Sequence, residues 1–210
     1  NSSGNLNNHF RLTADIDATA TWGWNGGVGF EPLNPWSDGG LDGANHTIAN
    51  LSIDDSSASQ GVGLFSSVNG DIEIRNLALS NASVVDSRDN PPSVGMLIGL
   101  FQGGNVTRVK ISGSVEGEDS VGGIVGAVGG HANLSHVEFN GSVTGYESVG
   151  GIIGEVNSLG TLHLEQARLN ASVTASGSNG QVGGVVGEVA GETSFNQVRV
   201  NATTSAIAGG

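Results

Sequence analysis

An all-β parallel β-helix, or β-solenoid, is the fold class that this 210-residue sequence predicts, and three observations carry it. A Val-Gly core returns five times, as Val62-Gly63-Leu64-Phe65, Val94-Gly95-Met96-Leu97, Val121-Gly122-Gly123-Ile124, Val149-Gly150-Gly151-Ile152 and Val182-Gly183-Gly184-Val185. A second apolar template follows every copy. No stretch shows helical periodicity. The leading valines are 32, 27, 28 and 33 residues apart, and a unit returning at that period buries its apolar face only by stacking on its neighbours.

The elements follow in chain order. Residues 1–60 read as N-terminal cap coils, with strands near 10–17 and 46–53. Between them lies a loop holding Trp22, Trp24, Phe30 and Trp36. Residues 61–210 read as five coils in the same domain, starting near 62, 94, 121, 149 and 182, with three short strands per coil. The Val-Gly core supplies the first strand. The second is an apolar-x-x-apolar-x-apolar template: Ile74/Leu77/Leu79, Val106/Val109/Ile111, Leu134/Val137/Phe139, Leu164/Ala167/Leu169 and Phe195/Val198/Val200. Its last three positions alternate, as one buried face requires. The third holds Ser83-Val84, Ser114-Val115, Ser142-Val143, Ser172-Val173 and Thr203-Thr204. Two turn-rich insertions, Val85–Pro92 and Ala175–Gly180, read as projecting loops. Coils rise by about 4.8 Å each, the spacing of hydrogen-bonded strands.

Three segments resemble a known family. The Val-Gly-Gly-[Ile/Val]-[Val/Ile]-Gly cores at 121–126, 149–154 and 182–187 resemble the GLUG motif of bacterial exported proteins. Phe10–Asp17 resembles the "LTADIDL" strand that opens such regions, and Leu41–Leu51 resembles their "DGNGHTISNL" segment. The copies at 62 and 94 depart from the pattern by lacking the second glycine. The resemblance implies regions like those of large adhesins, and like non-catalytic parts of secreted IgA-specific metallopeptidases. It also implies a right-handed coil, which the right-handed preference of parallel crossovers supports.

Composition bounds the function. The formal net charge is −13 and there is a single lysine, a balance that repels nucleic acid and anionic membranes. It suits a secreted or cell-surface protein in salt or near divalent cations. The absence of cysteine excludes disulfides and Cys-based zinc sites. No run reaches the roughly 18 apolar residues of a membrane helix. Because the chain starts at Asn1 without a Met or leader and stops after the fifth coil without a polar cap, it reads as an excerpt, with more chain following in a parent protein.

Candidate chemistry concentrates on one strand face. Arg75, Arg108, Lys110, Arg168 and Arg199 are expected to point outward there, with Lys110, Glu138 and Arg168 stacking as a plus-minus-plus ladder. The face stabilises the rod, or it holds an acidic glycan or a partner's edge. Arg108-Val109-Lys110 also resembles the Arg-Ile-Lys run of β-helical pectin hydrolases, but the same slots hold His136/Glu138 and Gln197/Arg199, and no Asp pair supplies acid and base. Trp22, Trp24, Phe30 and Trp36 form the aromatic binding candidate, with a plug over the first coil as the favoured role. The carboxylates able to share Ca²⁺ are Asp15 with Asp17, where a turn or cap role outweighs it, and Glu155 with Glu188, where solvated glutamates do. No cofactor is otherwise implied.

Nine Asn-x-Ser/Thr sites occur, at Asn1, Asn45, Asn50, Asn81, Asn105, Asn133, Asn140, Asn170 and Asn201. Asn140, Asn170 and Asn201 share a repeat position, which reads as an asparagine ladder rather than as glycan acceptors. The function expected is a non-enzymatic structural and adhesive module, with a surface glycan or a protein as partner. The alternatives are a filament subunit that self-associates through its ends and a β-helical polysaccharide-active enzyme.

Overall fold

The computed structural model describes residues 9–33, 39–54, 60–86, 88, 92–178 and 180–206. Its strands pair in parallel as a β-solenoid of about six turns, with a single 3-10 segment, Thr19–Gly27. The rungs fall where the repeats place them. Val62, Val94, Val121, Val149 and Val182 stack in a five-stranded sheet of their own. Ile74, Val106, Leu134, Leu164 and Phe195 align likewise, as do Val84, Val115, Val143, Val173 and Thr204. Their side chains fill one continuous apolar core running from Ala18 to Ala175.

The cap region supplies two further rungs. His9–Arg11 pairs with Gly39–Asp42, which pairs in turn with the strand from Ile72. Ile16–Asp17 pairs with Thr47–Ala49. The strand expected over 10–17 is therefore two pieces, His9–Arg11 and Ile16–Asp17. Insertion residues Ser176 and Gly177 donate their amide N–H groups back to the preceding coil, to the carbonyls of Gly145 and Tyr146.

Steric crowding explains the glycines. The Val-Gly core is folded across a corner: Val121–Gly122 lies in one sheet and Val125–Gly145 in the other. A β-carbon on Gly122 would stand 1.9 Å from the Val125 carbonyl oxygen, inside the corner. The last glycine of the motif serves a different contact. A β-carbon on Gly154 would stand 2.4 Å from the Ser120 carbonyl carbon and 2.5 Å from the Val121 nitrogen, both on the preceding coil. Backbone thus packs directly on backbone through the middle of the solenoid. The second glycine varies between coils. A β-carbon on Gly123 would stand 2.3 Å from the Gly151 carbonyl oxygen and 2.7 Å from the Phe139 ring, whereas Met96 fills the same slot, wholly buried, in the earlier coil.

Gly154→Ala should cost about 3 kcal/mol by overpacking against backbone that has no free side to move toward. Gly129→Ala, whose nearest neighbour would lie 3.7 Å away, should change stability by less than about 0.5 kcal/mol. Chemical denaturation of the two variants checks the pair.

Candidate functional site

The second template turns a corner inside its x-x step. Asn76, Arg108, His136, Gln166 and Gln197 occupy that corner in successive coils, all with left-handed backbone (φ between 52° and 55°). Asn76 and His136 are of types enriched in this conformation, whereas Arg108, Gln166 and Gln197 each cost about 1–2 kcal/mol of backbone strain. The bend makes a seam along the axis, a groove of about 670 Å³. His136, Gln166 and Gln197 form one wall, and Lys110, Glu138, Arg168 and Arg199 the other. The floor is Val137, Ala167 and Val198.

The register of the charged wall is the expected one, Lys110 on Glu138 on Arg168 on Arg199. Its charge pairing is not. The ion pairs among the described residues join Asp15 to His46, Arg75 to both Asp42 and Glu73, and Asp86 to Arg88. Lys110, Arg168 and Arg199 are exposed and close no ion pair with Glu138, because holding long side chains still costs entropy that a solvated pair does not offset. The stripe is also narrower than expected. Arg75 is tied to carboxylates, and Arg108 Nε donates to Asn76 Oδ1 at 2.7 Å. Three cations remain on the groove.

The aromatic plug is overturned. Trp22 and Trp24 are 72% and 49% exposed, and Thr21 is the buried residue of that segment. Asn25, Gly26 and Gly27, all at positive φ, interrupt the 3-10 segment after the two indoles. Phe30 is half-buried against the core, with its ring centroid 6.4 Å from that of Trp24. Trp36 lies outside the described residues.

Each carboxylate named for calcium has protein partners. Asp15 Oδ1 accepts from the Thr47 amide at 2.9 Å and faces His46 Nδ1 at 3.1 Å. Asp17 Oδ1 accepts from the Thr19 amide and hydroxyl and from Asn50 Nδ2. Asp17 thus closes its own turn and ties it to the next rung, and Asp15 binds the backbone of that rung. Glu155 and Glu188 stack in register but are not free solvated groups: both are half-buried, and the buried hydroxyls of Ser120 and Ser148 donate to them at 2.7 and 2.6 Å. The signal for these pairs was the serine preceding the Val-Gly core in both coils. Among the described residues, no group of three or more metal-ligating side chains converges.

The asparagine ladder forms. Asn201 Nδ2 donates to Asn170 Oδ1 at 2.7 Å, and Asn170 Nδ2 to Asn140 Oδ1 at 3.0 Å. Asn133 donates to Asn105 and Asn81 to Asn50 in the same sense. Left-handed geometry accounts for Asn50 and Asn81, at φ 60° and 51°, but not for the Asn140 row, which lies in regular strand.

Over 134 residues the chain is 45% identical to halomucin of Haloquadratum walsbyi (strain DSM 16790 / HBSQ001), a match covering 60% of this chain and 1% of that protein. Among solved structures, it resembles a putative immunoglobulin A1 protease from Bacteroides ovatus, with a TM-score of 0.75, 24% identity, and coverage of 94% of this chain and 60% of that one. That likeness shows the solenoid fold. No family model matches the chain.

The cap carboxylates make stability depend on acid. The Thr47 amide first, then His46, holds Asp15 below the usual carboxylate range. The Thr19 hydroxyl and the Asn50 amide do so for Asp17, and the Asn76 amide and Ala44 N–H, with help from Arg75, for Asp42. A group with a lowered folded pKa contributes fully above its unfolded value, near ~3.9, and loses that contribution as pH falls through the folded value. Asp17→Asn and Asp42→Asn should therefore lower the melting temperature at neutral pH and flatten its fall below pH 4. Thermal melts across that range check both.

Proposed function

We propose that the chain is a non-catalytic structural and adhesive module of an exported protein, secreted or held at the cell surface. The observation that carries this reading is the uninterrupted register of like residues from Val62 to Val182, which makes a stiff section of rod. The acidic, lysine-poor composition and the similarity to halomucin support it, and the Val-Gly-Gly cores support kinship with GLUG-type repeat regions. The groove offers one carboxylate, Glu138, where glycoside hydrolysis uses two. Calcium is no part of the proposed role.

A second reading has its own support. The first and last described rungs expose apolar residues at core positions, Ile16 in one and Phe195 and Val200 in the other. Such edges suit end-to-end stacking between copies. Sedimentation over a range of concentrations separates a monomer from a growing filament.

The purified chain should scatter X-rays as an elongated particle, keep its melting temperature on calcium titration, and leave acidic glycans uncleaved. Turnover of any such glycan would overturn the non-catalytic reading.

A further inference from the structure

We propose that the seam binds a linear glycan with carboxylates on alternate sugars, laid parallel to the solenoid axis. This rests on the reading of the chain as a non-catalytic surface module and names the ligand class of its groove.

Charge placement carries the argument. On a chain of net charge −13, three of the seven basic residues gather in one groove, and among the described residues none of the three closes an ion pair. Arg75 and Arg88, by contrast, are neutralised by acidic neighbours. Guanidinium groups left open toward solvent are the natural receptor for carboxylates, which they grip with paired N–H donors.

The order of charges sets the ligand's pattern. Lys110 and Arg168 lie two rungs apart, about 9.6 Å at the strand spacing. A pyranose unit is about as long as one rung, so acids on alternate sugars meet Lys110 and Arg168 in turn. Arg199, one rung beyond Arg168, straddles the second acid. Glu138 then faces the neutral sugar between them, whose hydroxyls donate to it. A polymer with an acid on every sugar would instead set like charges together at that rung.

The opposite wall fits a sugar chain too. His136, Gln166 and Gln197 hold left-handed backbone at the lip of the groove. Their imidazole and amide groups both donate and accept hydrogen bonds, as ring hydroxyls require.

The test uses the whole chain and three polymers at physiological salt: hyaluronan, in which acidic and neutral sugars alternate; polygalacturonate, acidic at every unit; and neutral dextran. Calorimetry should rank hyaluronan above polygalacturonate, with no heat for dextran. The double variant Arg168→Ala/Arg199→Ala should lose about tenfold in hyaluronan affinity. Glu138→Gln should raise affinity for polygalacturonate and not for hyaluronan. Equal binding of dextran, an unaffected double variant, no binding of either acidic polymer, or a Glu138→Gln effect shared by both would overturn the proposal. Circular dichroism confirms folding of each variant. Failure to bind with an intact rod removes this ligand alone, whereas cleavage of a polymer removes the module reading itself.

Discussion

Coil-on-coil contact between bare backbones governs this molecule. The final glycine of the last four Val-Gly motifs, Gly99, Gly126, Gly154 and Gly187, meets the main chain of the preceding coil at a distance that admits no side chain, as Gly154 does against Ser120 and Val121. That contact sets which residue lies above which. Once Val121 is seated under Val149, the hydrogen-bond ladder carries the same register around the perimeter, through Leu134 and Leu164 to Val143 and Val173. Core rows, amide rows and charged rows all inherit their alignment from it.

The rows behave differently because their side chains differ in length. Asparagines one rung apart reach one another, and the Asn140–Asn170–Asn201 row closes. Lys110, Glu138 and Arg168 have the same alignment, yet their long chains extend into the groove unpaired. Short amides lose little freedom on stacking, and long charged chains lose much. Alignment alone closes the asparagine row, whereas an ionic pair one rung apart closes at Arg75 and Asp42 and stays open along Lys110, Glu138 and Arg168.

Most of the fold was legible in the sequence because the repeats carry it. The five valines, the apolar template and the asparagine row all stack where spacing placed them. The corner at Arg108, Gln166 and Gln197 was not legible, because none of these residue types announces left-handed backbone. The groove that this corner creates was therefore hidden, although its lining was visible as a row of alternating charges. The exposure of Trp22 and Trp24 was missed for a related reason. Apolar character argues for burial, yet in that segment it is Thr21 that turns inward, its hydroxyl donating to the Ala18 carbonyl and accepting from the Ser52 amide. The roles of Glu155 and Glu188 depended on serines 35 and 40 residues earlier, whose one mark in the sequence was their repeated place before the Val-Gly core.

Because the coils are joined by hydrogen bonds that run along the axis, a pull on the two ends of the chain loads those bonds one rung at a time. Each coil that peels away frees roughly 30 residues, on the order of 100 Å of contour length. The unpeeled remainder keeps its core, since each coil touches only its neighbours. Under tension the solenoid is thus a ratcheted extensible tether, which dissipates a jolt by paying out slack in coil-sized steps instead of giving way at once.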